Sequence, residues 1–324
     1  MNRKSKLLVL ISVTVLLSVC AVFVLKADFN TEVPTTDEEF SIFTADTAAV
    51  TSITREYGGT MLTFKRSGNS WTFTDDASFI VDTDRIGEML NAVSNITTAK
   101  QITGAEGSEQ YGLEDPELTV TIDEGNTTRT LNFAGEAALS GNKYLSTGDG
   151  NVYLVSSSIL DPFKLDLLDM VKKDEIPSLT SLTALEIKND SGSFKLMKDT
   201  FTETDDDGNE TVKYTWSVEG ENLAVDKSKA DALTNYVKGL VWQKCVSYNA
   251  GKEELTSYGL DEPSAVISAQ YDEGNTFRLY IGNFNGEYYY ARTDSDLVYL
   301  INTDTAERLM QAVSDDLAAV TAAN

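Results

Sequence analysis

A six-residue motif that occurs twice limits the folds open to this chain more than any other feature. Residues 111–116 read Tyr-Gly-Leu-Glu-Asp-Pro, and residues 258–263, which begin 147 positions later, read Tyr-Gly-Leu-Asp-Glu-Pro. Each copy is followed by a β-rich run and an Asp-Glu-Gly-Asn turn, at 123–126 and 272–275. This period is too long for a solenoid repeat and favours tandem domains, which a length of 324 residues accommodates.

The motif is interpreted as a structural element. Its glycines can adopt a positive φ and reverse the chain after a short helical turn, while each proline pushes the residue before it into an extended conformation. The tyrosines and leucines are expected to pack beneath the turn. The alternative is a recognition loop presented twice. The residues concerned are Tyr111, Gly112, Leu113, Pro116, Tyr258, Gly259, Leu260 and Pro263.

Each repeat has the same predicted order of elements: short strands, an Asp-led helix, a strand, the motif, then a four-strand meander and a short helix. Asp82 and Asp226 are placed to cap the Asp-led helices. Ile86, Met89 and Val93 fall at helical spacing, so one face should pack on the sheet. The predicted class is α+β: two tandem homologous domains, each an antiparallel sheet with a packed helix and a C-terminal strand meander, after an N-terminal transmembrane helix.

The N-terminus predicts a membrane anchor. Residues 7–25 form an uncharged apolar run long enough to cross a bilayer as a helix. Basic residues at 3, 4 and 6 place the N-terminus in the cytoplasm and the bulk of the chain outside, as a single-pass protein of the plasma membrane. Two alternatives stay open: a cleaved signal peptide, with a poor cleavage site at 24–27, and a lipid anchor at Cys20, which the bulky Val19 disfavours.

The predicted organisation has five parts. Residues 1–27 are a cytoplasmic basic end and the anchor, 28–46 an acidic tether, 47–175 the first repeat domain, 176–314 the second, and 315–324 a frayed C-terminal tail. A rigid pairing of the two domains and a hinge near 174–178 are both compatible with the sequence.

Charge and residue usage narrow the possible functions. A net charge of −25 repels nucleic acid and anionic lipid headgroups, so no nucleic-acid partner is expected. Histidine, the commonest general base and metal ligand, is absent. Of the two cysteines, Cys20 lies in the apolar run and Cys245 in a predicted strand, without a base nearby in sequence. No catalytic, metal or cofactor site is predicted, and the chain is not expected to be an enzyme.

An acidic stretch at 203–210 contains Asp-Asp-Asp-Gly-Asn and is reminiscent of a calcium loop. When the stretch is aligned with the EF-hand loop, Glu203 occupies the first position, where the pattern has Asp. Tyr214 occupies the twelfth position, where the pattern has a bidentate Glu. A solvated hairpin turn between two strands is the favoured interpretation, and a weak calcium site is the alternative.

A second candidate is the tyrosine run Tyr288, Tyr289 and Tyr290, with Tyr271, Tyr280 and Tyr299 nearby. Alternate residues of a strand face opposite sides, so packing of the sheet accounts for part of this run. The alternative is a surface that binds a peptide, a glycan or a partner protein, since exposed tyrosine favours interfaces.

The duplicated motif, the Trp strand before an Asp-led helix, and Ile281-Gly282 leading to Tyr289-Tyr290 resemble the bacterial domain-of-unknown-function family numbered 4340. The resemblance covers roughly residues 43–313 in two copies. It implies a single-anchor extracytoplasmic protein associated with gliding-motility-type ABC transporters of the ABC-2 permease kind. No catalytic residues come with it. The first copy departs at 133–135, which read Phe-Ala-Gly, and its meander has fewer tyrosines.

Three functions follow from these observations. The first is a non-enzymatic, membrane-anchored extracytoplasmic accessory or scaffold protein, partnering an ABC-2-type transport complex. The alternative is an extracytoplasmic protein that binds a glycan, a peptide or a cation through the tyrosine-rich sheet or the acidic loops. An acid-only hydrolase would need two carboxylates with divided pKa values in one pocket.

Overall fold

The computed structural model describes residues 35–102, 108–136, 141–272 and 274–319. This part of the chain consists mostly of two large antiparallel sheets with few helices, which agrees with the α+β prediction. The predicted anchor at 7–25 lies outside the described residues. Within the described ranges, no helix is long and apolar enough to span a membrane.

The first sheet has nine strands, in the order β1-β5-β9-β8-β7-β6-β2-β3-β4. Its strands are β1 (Thr35–Thr44), β2 (Ser52–Tyr57), β3 (Thr60–Ser67), β4 (Ser70–Phe73), β5 (Asn95–Ile102), β6 (Leu118–Asp123), β7 (Thr128–Glu136), β8 (Asn142–Ser146) and β9 (Val152–Ser156).

The second sheet has eight strands, in the order β12-β11-β10-β14-β15-β16-β17-β13. Its strands are β10 (Leu182–Asn189), β11 (Gly192–Thr204), β12 (Glu210–Val218), β13 (Lys244–Ser247), β14 (Ala265–Tyr271), β15 (Asn275–Phe284), β16 (Tyr289–Arg292) and β17 (Val298–Ile301).

The two sheets have the same topology once β1 is set aside. Read from β5 in the first sheet and from β13 in the second, each strand occupies the same place in the order. The registers also correspond, since Leu118 faces Phe133 and Ala265 faces Ile281. The repeated motif therefore marks a repeated fold, and any position in one sheet has an equivalent in the other.

Four α-helices are described: α1 (Thr83–Ser94), α2 (Lys227–Lys238), α3 (Lys252–Ser257) and α4 (Thr303–Met310). Short 3-10 helices occur at Ser108–Tyr111, Ser157–Phe163, Leu167–Asp169 and Ser314–Leu317.

Both predicted caps are confirmed. The Asp82 carboxylate accepts a hydrogen bond from the Asp84 N–H (3.0 Å) at the start of α1. Asp226 accepts from the N–H groups of Ser228 (2.8 Å) and Lys229 at the start of α2. The apolar face of α1 is buried as its spacing predicts, because a helix lying on a sheet must remove that stripe from water. Its buried residues are Ile86, Met89, Leu90 and Val93.

Three predictions about local structure differ from what is observed. Ten residues of the predicted 28–46 tether form β1, which pairs antiparallel with β5. The short helix predicted after the first meander, at 156–168, is divided into two 3-10 helices, and Pro162, which has no N–H to donate, lies within the first.

The C-terminal tail is the third difference. Residues 315–319 are ordered, with Leu317 buried and the Ala319 N–H donating to the Ala224 carbonyl (2.7 Å). Fraying was predicted because terminal residues are commonly poorly ordered unless other contacts hold them. The remaining tail residues lie outside the described ranges.

The described residues form two compact units, one made of those within 35–61 and 89–163 and the other of those within 62–88 and 164–319. The segment 62–88 is tied to the rest of the second unit by defined bonds. The Tyr248 hydroxyl donates to the Asp76 carboxylate (2.7 Å), and the Asp82 N–H donates to the Met170 carbonyl (2.8 Å). The predicted domain boundary at 175/176 stays a prediction.

Candidate binding surface

The second copy of the motif ends helix α3 and turns the chain into β14. Gly259 has a φ of +68°, and its N–H donates to the Thr256 carbonyl (3.1 Å). The Leu260 N–H donates to the Leu255 carbonyl (2.8 Å). These two bonds with a left-handed glycine form a Schellman motif, which satisfies carbonyls at the helix end. Pro263 follows two residues before β14 begins.

The first copy makes a shorter version of the same turn. A 3-10 helix ends at Tyr111, and Gly112 has a φ of +73° with its N–H donating to the Glu109 carbonyl (3.0 Å). Leu113 is buried against Ala134, as Leu260 is buried in the second unit. The predicted reversal after a short helical turn is confirmed in both copies.

Each motif lies very close to the strand that follows the Asp-Glu-Gly-Asn turn. The Asn283 N–H donates to the Tyr258 carbonyl (2.7 Å), and a Cβ on Gly282 would lie 2.2 Å from that oxygen. In the first unit Gly135 approaches the Tyr111 carbonyl, at 3.4 Å for an added Cβ. The first copy reads Phe-Ala-Gly where the second reads Ile-Gly, so its glycine lies one position later in the strand. That glycine still lies close to the carbonyl of the motif tyrosine.

The motif tyrosine packs on a second tyrosine in both units. Tyr258 lies on Tyr290, with ring centroids 4.4 Å apart, and Tyr111 lies on Tyr144 at 4.9 Å. Burial, followed by the nearby Glu254 carboxylate, raises the pKa of Tyr258. All four rings are only partly buried, so each pair covers a small apolar cluster and also presents ring edges to solvent.

In the second unit this tyrosine pair is extended by charged and aromatic side chains. Tyr280 and Arg292 face each other across β15 and β16, and the Arg292 guanidinium carbon lies 4.8 Å from the Tyr280 ring centre. The Tyr280 hydroxyl donates to Asp294 (2.8 Å), which also accepts from Arg278 (3.3 Å). Burial, followed by the bond to Asp294, raises the pKa of Tyr280, so the phenol stays protonated.

The turn that carries Asp294 is held by hydrogen bonds from the two neighbouring residues to Asp174. The hydroxyls of Thr293 and Ser295 both donate to Asp174 Oδ2, at 2.5 and 2.6 Å. The Asp174 main chain is held in turn, since its N–H donates to the Tyr299 hydroxyl (2.6 Å) and its carbonyl accepts from the Trp242 indole (2.9 Å). These bonds hold Asp174, at the start of the possible hinge, within the second unit.

We call this group the tyrosine–arginine surface; its members are Tyr258, Arg278, Tyr280, Tyr290 and Arg292. The first unit has no arginine at the positions equivalent to Arg278 and Arg292. At the positions equivalent to Tyr280 and Arg292, the matching pair across β7 and β8 is Asn132 and Ser146. The duplicated fold therefore carries the tyrosine pair twice and the arginine cluster once.

The predicted run Tyr288, Tyr289 and Tyr290 divides between two sides of the sheet. Tyr290 belongs to the tyrosine–arginine surface, whereas Tyr289 is next to it in β16 and packs on Phe284 at 5.1 Å. Tyr288 precedes the strand, where its N–H donates to Asn285. Sequence reasoning missed Arg292 and Asp294. The period-two alternation from Tyr290 to Asp294 was the signal that could have found them.

The acidic stretch forms the hairpin turn between β11 and β12, as the favoured interpretation predicted. Asp205 accepts from the Asn209 side-chain amide (3.0 Å) and from the N–H groups of Asn209 (2.8 Å) and Asp207 (3.0 Å), and these bonds lower the pKa of Asp205. Among the residues that the structure describes, no group of three or more acids and cysteines is arranged to hold a metal ion. Cys245 lies in β13 and is buried.

A family model described as "Domain of unknown function (DUF4340)" matches residues 71–215 and 216–317, which together exceed half of the chain. The chain belongs to the DUF4340 family. The two adjacent matches confirm the tandem arrangement inferred from the motif. Comparison with curated proteins gave no significant match, and neither did comparison with solved structures.

Proposed function

We propose that this DUF4340 protein is a non-enzymatic accessory protein that works by binding a partner protein through the tyrosine–arginine surface. Residues 7–25 would anchor it in the plasma membrane, with the bulk of the chain outside. The observation that carries the proposal is the set of half-buried tyrosines Tyr258, Tyr280 and Tyr290, with Arg292 on the Tyr280 ring and the exposed Arg278 bonded to Asp294.

The chemistry of this surface suits protein recognition. Tyrosine and arginine are enriched in protein interfaces, where they supply apolar area together with hydrogen bonds. Tyr258 and Tyr290 support each other, and Asp294 holds the hydroxyl of Tyr280. Side chains already held by neighbours lose less conformational entropy when a partner binds, so more of the contact energy is retained as affinity.

The partner class we propose is a subunit of an ABC-2-type transport complex. The chain belongs to the DUF4340 family. The support for this partner class is the resemblance of its sequence pattern to proteins associated with ABC-2-type transporters.

The test is photo-crosslinking in native membranes. A photoreactive phenylalanine analogue replaces Tyr280, whose side chain is partly exposed, and the cross-linked proteins are identified by mass spectrometry. We expect a discrete adduct with a membrane transport subunit. A chain that forms no adduct from position 280 contradicts partner binding at this surface.

A matched pair of variants separates this surface from its counterpart. Arg278→Ala with Tyr280→Ala should reduce recovery of the partner by about tenfold or more, because both changes remove interface side chains. Thr130→Ala with Asn132→Ala, at the equivalent positions of the first unit, should leave recovery unchanged. Equal recovery with both double variants would contradict the assignment.

A second candidate function rests on a polar cavity in the first unit. It has a volume of about 440 Å³ and lies beside β5 and β9, with Glu39, Lys100 and Asn142 among its lining residues. Ligand pockets commonly span roughly 300–1,000 Å³ and orient their ligands with a few polar groups. A glycan or peptide fragment is the ligand class that these charged and amide groups fit.

Calorimetry tests this second candidate. Titrating soluble cell-wall fragments into the full chain should give saturable heat that falls when Lys100→Ala removes the cavity's cation. Lys65→Ala, an exposed lysine in β3, is the control. No heat with the unmodified chain would remove the small-ligand function and leave the partner-binding proposal standing.

A further inference from the structure

The second sheet has a hairpin that is much longer than its equivalent in the first sheet. Lys198 faces Trp216 across β11 and β12, as Arg66 faces Trp71 across β3 and β4. Seventeen residues separate Lys198 from Trp216, whereas four separate Arg66 from Trp71. We call residues 199–215 the extended hairpin. Since one repeat folds without this extra length, the shared fold does not require it.

The extended hairpin continues beyond the strand that pairs with its base. The ladder between β10 and β11 ends at Met197, and β11 continues to Thr204 with β12 as its partner. At about 3.4 Å per residue, this part of the ribbon is about 20 Å long. Residues 199–213 are all exposed to solvent. A two-stranded ribbon exposed in this way is marginally stable, and a third strand stabilises it.

The base of the extended hairpin is held on helix α2. The Lys227 nitrogen lies 3.8 Å from the centre of the Tyr214 ring. Asp231 of the same helix accepts hydrogen bonds from the Trp216 indole (2.8 Å) and the Tyr214 hydroxyl (3.1 Å). These contacts fix the base of the ribbon, so a strand that pairs with it meets an edge that is already ordered.

The hydrogen bonds at the two ends of the ladder show which main-chain groups of β12 bond to β11. The register between the two strands is continuous. Beyond one end the Glu219 N–H donates to the Lys195 carbonyl (2.9 Å), and beyond the other the Asp205 N–H donates to the Asn209 carbonyl (3.0 Å). Bonded pairs alternate with non-bonded pairs in an antiparallel ladder. The odd-numbered residues of β12 are therefore the ones bonded to β11.

The even-numbered residues of β12 consequently direct their N–H and C=O groups away from β11. In the exposed part of the strand, these residues include Val212 and Tyr214. In the part of the chain that the structure describes, β12 is the edge strand of the second sheet. The main-chain groups of these two residues therefore face the side on which a further strand could pair.

This edge lacks the usual protection of an edge strand. Proteins commonly protect sheet edges by keeping the strand short or by bulges and prolines. The equivalent edge strand β4 has 4 residues, whereas β12 has 9, with a continuous register and no proline. Val212 and Phe201 are 73% and 47% exposed, and their adjacent cross-strand pairs place them on opposite faces. A long, regular edge of this kind is where an extended peptide adds as a strand.

We propose that the extended hairpin is a docking site for an extended basic segment of another protein, which pairs along β12 from Glu210 to Tyr214. Main-chain hydrogen bonds to Val212 and Tyr214 supply the affinity. Charge selects the segment, because residues 199–215 contain six acidic residues and one lysine. Lysine or arginine side chains on the added strand face these acids, and opposite charges on facing strands stabilise the pairing.

A second copy of this chain is a poorer occupant, because two hairpins with the same excess of negative charge repel each other. The inference goes beyond the partner binding proposed above. The tyrosine–arginine surface is formed by the motif, β15 and β16, whereas the docking edge is β12. The two proposals are tested by separate experiments, and the failure of one leaves the other standing.

The test uses a fluorescently labelled peptide of about ten residues that alternates lysine with valine, which is long enough to span β12. Titrated with the full chain, it should bind saturably and slow the hydrogen exchange of the Val212 and Tyr214 amides. The same peptide with N-methylated backbone amides keeps its charge and loses its donors, so it should bind at least about tenfold more weakly. Equal binding of the two peptides, or no protection of these two amides, overturns the proposal.

A matched pair of variants at one position isolates the main-chain edge. Val212→Pro removes an outward-facing N–H and keeps the ladder with β11, since an edge strand accepts proline where the N–H faces solvent. It should weaken binding of the lysine–valine peptide about tenfold or more. Val212→Thr keeps the N–H and the β-branched shape and should bind within about twofold of the unmodified chain. An equal loss in both variants would contradict pairing through the main chain.

A third variant removes the docking edge altogether. Replacing residues 199–215 by Ser-Gly-Asn-Ser, the sequence of residues 67–70, gives the second sheet the short turn with which the first sheet folds. Peptide binding should be lost, and binding that persists overturns the proposal. Sedimentation of the chain without peptide should show no self-association through this edge. A dimer that Val212→Pro dissociates would assign the edge to a second copy and overturn the proposal of a basic partner.

Discussion

Gly282 is the residue at which the repeat motif and the sheet come closest. A Cβ there would lie 2.2 Å from the Tyr258 carbonyl oxygen and 3.0 Å from that of Gly259. Both atoms belong to the main chain of a hydrogen-bonded turn and cannot rotate away. We expect Gly282→Ala to lower the free energy of unfolding by at least about 2 kcal/mol, measured by urea denaturation.

Gly87 is the control for this prediction. It lies in α1, and an added Cβ would meet nothing within 4 Å. Gly87→Ala should raise the free energy of unfolding by about 0.5–1 kcal/mol, because alanine loses less backbone entropy in a helix. If both alanine variants destabilise the chain equally, the close approach at Gly282 is not the cause.

Cys245 should be an unreactive thiol. Burial raises its pKa to about 11, and the thiolate is the species that reacts. In a Cys20→Ser variant, we expect labelling of the native chain at neutral pH to be at least about 100-fold slower than in urea, as a two-unit shift implies. Labelling at the unfolded rate would contradict the burial of this side chain.

The raised pKa of Cys245 also fixes the sign of its effect on stability. The native state favours the protonated thiol. The stability that Cys245 contributes is therefore fully present below the pKa of the thiol in the unfolded chain, and it is lost as the pH rises towards about 11. Unfolding midpoints should therefore fall in alkaline solution, and Cys245→Ser should reduce that slope.

At the scale of elements, helix α2 depends on its N-terminal cap. Asp226 accepts from two N–H groups of the first turn, and this helix carries Asp231, which accepts from the Trp216 indole of β12. Asp226→Ala should cost about 0.5–2 kcal/mol of unfolding free energy, measured by urea denaturation. Asp207→Ala, in the exposed hairpin turn, should leave stability unchanged, and an equal loss there would contradict the capping role.

Elements with a strong local signal were predicted well. The Asp-led helices have both a cap and an apolar stripe, and the motif glycines combine a required positive φ with a proline downstream. These signals lie within a few residues and do not need the rest of the chain. Strand β1 had no such signal, because its acidic, Thr-rich sequence becomes a strand only by pairing with β5.

At the scale of the whole molecule, net charge should limit stability. A charge of −25 makes the folded chain repel itself, and added salt shortens the range of that repulsion. Raising NaCl from about 0.01 M to about 0.1 M reduces the Debye length from about 30 Å to about 10 Å. We expect a higher Tm by circular dichroism at the higher concentration.

Potassium chloride should have the same effect as sodium chloride, since screening does not depend on the identity of the cation. A Tm that does not rise, or that responds to one cation alone, would show that self-repulsion does not govern the stability of this chain.

The sequence alone determined the duplication, the α+β class, the helix caps and the chain reversals at Gly112 and Gly259, because periodicity, capping chemistry and backbone sterics act over short distances. It placed Tyr290 among the candidates because three consecutive tyrosines are visible in the sequence itself. The tertiary structure decided that Tyr258, Tyr280 and Arg292 meet on one surface, and that Lys198 of β11 and Lys227 of α2 lie against the Tyr214 ring. Those meetings depend on strand register and on which face a helix covers, and both are fixed only when the whole sheet pairs.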